Sequence, residues 1–161
     1  MPAMHWHAKL ELGLAKMDDT HREFIEFYNA LQAAPADAFI ERLDALIEHT
    51  VAHFDQENRW MEKVNFPGCH RAEHDRVLAV MRDVRDRAAK GDLFLGRRLV
   101  EELPAWLDNH VNGMDAALAF HLQTIGFDVH TERFVDNGTG GCTTQSAGGC
   151  ACATLGKDDA V

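Results

Sequence analysis

The chain has 161 residues, with 16 basic against 26 acidic side chains, a formal net charge of −10 and a pI near 5.4. A surface this acidic repels phosphate, which excludes nucleic acid and anionic membrane as natural partners. Hydrophobic content of 46% in a chain of this length is enough for one globular domain with a real core.

Met1–Asp18 lacks an apolar run of signal-peptide length and carries Lys9, Glu11 and Lys16. No stretch approaches the roughly 20 apolar residues of a membrane span. The expected localisation is cytoplasmic, and four cysteines in a reduced compartment do not read as a disulfide scaffold. Cys69 stands alone in an expected turn.

In chain order, residues 1–17 form an N-terminal arm and four amphipathic segments follow. The first runs from about Asp19 to Ala33 with His21, Phe24, Ile25, Tyr28 and Leu31 on one stripe, and Pro35 ends it. A second, from about Ala36 to Val64, repeats Phe39, Leu43, Leu46, His53, Phe54, Glu57, Trp60 and Met61 at three-and-four spacing. Phe66-Pro67-Gly68 is a turn. The third covers about His70 to Lys90, and Gly91 is its C-terminal stop. The fourth spans about Phe94 to Ile125 and is closed by Gly126, with Pro104 inside it, where a missing amide should kink or restart the helix. No segment alternates convincingly enough to propose a strand.

Short links between such helices predict an all-α, antiparallel up-down-up-down four-helix bundle over residues 18–130. A length count supports the pairing: at about 1.5 Å per residue, His74 and His110 both lie about 24 Å from the third turn. The same count across the first turn fails by about 7 Å, so part of Ala36–Ile40 is expected to be loop. Residues 131–161 change to a flexible Gly/Cys-rich tail holding Cys142, Cys150 and Cys152.

Each helix carries metal-ligand side chains where its stripe should be apolar: Asp18-x-x-His21, His53-x-x-x-Glu57, His70-x-x-x-His74 and His110-x-x-x-x-Asp115. Any one pair is weak evidence, since 10 histidines produce decoys such as His7/Glu11 and His49/His53, and a lone histidine on an apolar stripe is more often a hydrogen-bonded core residue. The full set is different. Burying so many polar groups without partners costs several kcal/mol each, and a metal centre offsets those penalties together. Imidazole with carboxylate suits iron, zinc, copper or nickel, and the lack of helix-borne cysteine argues against closed structural zinc. His110 and Asp115 are five apart, roughly 140° around an ideal helix, so both can face one site only through a π-type bulge.

This ordered set resembles the hemerythrin family, in particular its single-domain bacterial members, over about residues 6 to 127, including Trp6, His53-Phe54, Phe66-Pro67-Gly68 and Trp106. Pro104 and the cysteine tail depart from the pattern. The resemblance implies two iron ions (Fe2+/Fe3+), one held by His70, His74 and His110, the other by His21 and His53. Glu57 and Asp115 would bridge them together with an oxo or hydroxo group. The first iron is then coordinatively full, while the second keeps one position open, for dioxygen.

Five neutral imidazoles and only two carboxylates donate little anionic charge, which favours reversible binding over substrate oxidation. Phe24, Ile25, Met61 and Leu107 are the expected apolar ligand pocket, with core packing as the alternative role. Asp18 or Asp19 is expected to cap the first helix or to steer His21. His49 is expected as a bundle-interior or channel histidine and His121 as a satisfied core group near the bundle end.

The expected function is non-enzymatic oxygen carriage, storage or delivery. Alternatives are a sensor acting through the cysteine tail, which would contact a redox protein through Cys142, Cys150 and Cys152, and an enzyme acting on peroxide or nitric oxide at the same centre.

Overall fold

The computed structural model describes residues 2–135, so the expectations placed on Cys142, Cys150 and Cys152 lie outside the described residues. Four long helices follow the apolar stripes: α1 Ala15–Gln32, α2 Phe39–Lys63, α3 Cys69–Ala89 and α4 Phe94–His110. A π-helical segment, Val111–Asp115, continues α4 into α5, Ala116–Thr124. The wide turn demanded by the His110/Asp115 spacing is therefore present. Residues 33–38 are non-helical, as the length count required. Gly91 (φ +91) and Gly126 (φ +69) end α3 and α5 in the left-handed region that glycine adopts without strain.

Helix α1 packs on α2, α2 on α3 and α3 on α4, whereas α1 meets α4 only sparingly. The buried side chains form three layers. One apolar cluster holds Phe24, Ile25, Tyr28, Leu43, Phe54, Met81 and Leu107. The other holds Met17, Trp60, Met61, Leu118 and Leu122. Between them, on α1 to α4 and the π segment, lie the buried polar residues His21, His53, Glu57, His70, His74, His110 and Asp115.

Several expectations need correction. Helix α1 opens four residues earlier than Asp19, because neither Asp18 nor Asp19 caps it: its N-cap, Leu14, makes no side-chain cap bond. The buried Asp18 instead accepts the amides of Leu12 (2.8 Å) and Gly13 (3.1 Å) in the preceding arm. Pro104 does not interrupt α4, which runs unbroken past it. Cys69 is the first residue of α3 rather than part of a turn, and it is disulfide-bonded; a compartment-based reading of cysteine cannot detect spatial proximity.

A two-stranded antiparallel hairpin, β1 Phe127–Asp128 with β2 Arg133–Phe134, follows α5, where no strand was expected. Strands of two residues are too short to show alternation. Tertiary contacts hold this hairpin: Glu132 receives Arg59 (3.2 Å) and Lys63 (2.8 Å) from α2. Among the described residues no helix is long and apolar enough to cross a membrane.

Candidate metal centre

The four-residue spacing on α2 and α3 places His53 above Glu57 and His70 above His74 on inward faces. The π segment adds one residue to the turn after His110 and swings Asp115 inward. Helix α1 contributes His21. Their side-chain ligand atoms form two overlapping groups, each within 4.8 Å: Glu57, His70, His74, His110 and Asp115; and His21, His53, Glu57 and Asp115. All seven residues expected as ligands converge.

The two carboxylates are shared between the groups atom by atom. Glu57 turns Oε1 to His53 Nε2 (2.9 Å) and Oε2 to His70 Nε2 (3.4 Å) and His74 Nε2 (3.3 Å). Asp115 turns Oδ2 to His21 Nε2 (3.0 Å) and Oδ1 to His70 Nε2 (3.0 Å) and His110 Nε2 (3.1 Å). Each carboxylate thus spans from an imidazole pair to an imidazole trio.

These contacts are short, yet His21 Nε2, Glu57 Oε2 and both Asp115 oxygens have no aligned hydrogen-bond partner. His110 Nε2 also faces His70 Nε2 at 3.3 Å and His74 Nε2 at 3.2 Å, nitrogen against nitrogen. Several of these crowded, buried polar atoms are therefore left without an aligned partner inside the protein. Burying bare donors and acceptors in this way is costly, and cations offset the cost. The donor set therefore fits a metal pair.

Charge agrees with geometry. Burial would raise both carboxyls, but the imidazoles around them hold Glu57 (His53, His70) and Asp115 (His110, His21, His70) well below the usual carboxylate range, so both are anionic. Burial lowers His70, yet the nearby Asp115 and Glu57 carboxylates outweigh it and raise it to about 9. His21 is likewise raised by Asp115 against burial, while burial prevails at His74 and lowers it.

Three surrounding residues orient the rings. Phe54 stacks flat on His74 (3.8 Å between centroids, 4°) and Trp106 on His110 (4.8 Å, 20°). Trp106 is itself fixed by donating to Glu73 Oε1 at 2.9 Å. Asn58 Oδ1 accepts from His74 Nδ1 at 2.9 Å. Sequence reading missed Asn58 and Glu73; both face sideways off the ligand stripe, and no periodicity marks them.

The pocket residues divide. Phe24, Ile25 and Leu107 are buried in the cluster on one side of the polar layer, whereas Met61 belongs to the cluster on the other side. His49 is half-buried between α1 and α2, its Nε2 3.2 Å from the Thr20 carbonyl and its ring stacked on Phe27; partial burial, with His53 adjacent, lowers it to about 4. His121 is half-buried beside Phe66.

Comparison with known proteins gives the same picture. Residues 12–119 match the family model described as the hemerythrin HHE cation binding domain. The chain is 48% identical over 134 residues to a bacteriohemerythrin of Ralstonia nicotianae, covering 82% of this chain and 98% of that protein. It is 30% identical over 125 residues to one of Stenotrophomonas maltophilia (74% and 81%) and 28% over 122 residues to one of Methylococcus capsulatus (71% and 93%). A histidine and carboxylate cluster of the kind that binds non-haem iron, built on four helices and matched by this family along most of the bundle, makes the chain a member of the hemerythrin family.

Proposed function

We propose that the cluster holds two iron ions and that the chain binds dioxygen reversibly, as a carrier, store or local source rather than as an enzyme. The observation that carries this reading is that each carboxylate turns one oxygen to a member of the His21/His53 pair and the other to two of the His70/His74/His110 trio. His70, His74 and His110 would hold one ion, His21 and His53 the other, and Glu57 and Asp115 would span both. With one protein ligand fewer, the His21/His53 side is where a small ligand enters. A bound metal pair would supply the two electrons that reversible dioxygen binding requires.

The chain's own residues favour return over reaction. Two carboxylates against five imidazoles contribute little negative charge. Phe24 and Leu107 are wholly buried and Ile25 nearly so, and together they keep water and its protons from the His21/His53 side.

Anaerobically reduced protein, with iron quantified per chain, should hold about two irons and gain a visible absorption band in air that argon purging removes. A band that decays irreversibly while a reductant is consumed, or the absence of iron, would overturn the reading. The first result would favour peroxide or nitric oxide chemistry.

A further inference from the structure

The π segment that carries Asp115 does not stand alone. A 3-10 turn in the N-terminal arm, Ala8–Leu10, packs directly against it. Leu10 is fully buried and belongs to the same apolar cluster as Leu107 and Val111, which flank His110. The arm thereby fills the seam that α1 and α4 leave thinly packed.

The arm is clamped on both sides of that turn. Asn29 on α1 accepts the Met4 amide (2.8 Å) and donates to the Met4 carbonyl (2.9 Å). Asp18, 3% exposed, commits both oxygens to the amides of Leu12 and Gly13. Gly13 has φ +79, a conformation that side chains resist, and its carbonyl accepts Gln123 Nε2 of α5 at 3.4 Å. Between the clamps, Trp6 lies on the Arg22 guanidinium (4.2 Å) and His7 reaches Asp108 (3.1 Å), so the strap crosses from α1 to α4.

A π turn has poorer backbone geometry than an α turn and persists where surrounding structure holds it. We propose that Leu10, fixed by the Asp18 and Asn29 clamps, is a positioning residue for Asp115: it braces the wide turn that keeps this carboxylate between the two imidazole groups. This deepens the metal-centre reading and rests on Asp115 being a metal ligand.

The test compares Leu10→Ala with Leu43→Ala, an equally buried leucine of the same cluster on α2, in the full chain. Backbone amide exchange of residues 110–116 is read by mass spectrometry without metal, and the rate of iron loss to a chelator is read after loading. Leu10→Ala should speed exchange across 110–116 and lose iron about 10-fold faster or more, whereas Leu43→Ala at matched thermal stability does neither. If Leu10→Ala does not fold, Gly13→Ala opens the Asp18 clamp from outside the core and should move both readouts the same way. Equal effects from Leu10→Ala and Leu43→Ala, or unchanged exchange at 110–116, would overturn the brace. Because exchange is read in the metal-free chain, a chain that takes up no iron contradicts the proposed function without obscuring this contact.

Discussion

The Tyr28 hydroxyl donates to the Val100 carbonyl at 2.8 Å, and Val100 is the residue four before Pro104. In an α-helix that carbonyl accepts the amide of residue 104, which proline lacks. Tyr28, wholly buried on α1, supplies the missing donor and lets α4 continue to His110. The pair is testable by a double-mutant cycle. Tyr28→Phe should cost about 1–3 kcal/mol by leaving a buried acceptor bare. In a Pro104→Ala background the alanine amide serves Val100, so the same change should cost roughly 1 kcal/mol less. Urea unfolding at fixed iron loading measures all four corners; an additive cycle would contradict the relationship.

Asn58 should matter more for metal retention than for folding. Among the described residues, His21, His53, His70 and His110 leave Nδ1 without a partner, whereas His74 Nδ1 meets Asn58. That bond fixes the tautomer that turns Nε2 inward. Asn58→Leu should weaken iron binding by about 10–100-fold. A chelator competition series that places the variant level with the parent would show that Phe54 stacking alone orients the ring.

Metal uptake should release protons. Without metal, His70 holds its proton up to about 9 against an ordinary value of 6.5. The folded value is the higher one, so its contribution to the metal-free fold is complete below 6.5 and is lost as pH rises through about 9. Metal must displace that proton. Adding ferrous ion anaerobically at pH 7–8 in weak buffer should acidify the solution, and apparent affinity should climb with pH and level off near 9. A pH-independent affinity between 7 and 9 would contradict this.

Gly96→Ala should destabilise the end of the bundle remote from the metal. A Cβ there would meet Phe39 Cε1 and Cζ at 2.7 Å, and Phe39 is buried with little room to turn. Overpacking costs about 1–3 kcal/mol, more than the ~1 kcal/mol that alanine gains over glycine in a helix. Phe39 lies about 21 Å along α2 from His53, so iron content should not change. Thermal melts with iron analysis separate the two effects.

The helices, their order and the seven converging His, Glu and Asp side chains were legible because each is written in short-range spacing. His53/Glu57 and His70/His74 share faces through helical periodicity alone, and His110/Asp115 announced its wide turn by being one residue too far apart. Pro104 was misread for the same reason. From the sequence it is a broken backbone bond, and nothing local reveals that a tyrosine 76 positions upstream completes it. The role of Asp18 was also hidden, since its partners lie in an arm without periodicity.

Periodicity and residue chemistry settle which groups a chain can bury on one face, so the bundle and its seven inward polar side chains follow from the order of amino acids. How a carboxylate divides its two oxygens, which ring nitrogen finds Asn58 and what the arm leans on depend on distances between separate helices. Those distances arise only when the helices pack, because their causes are contacts between residues far apart in the chain.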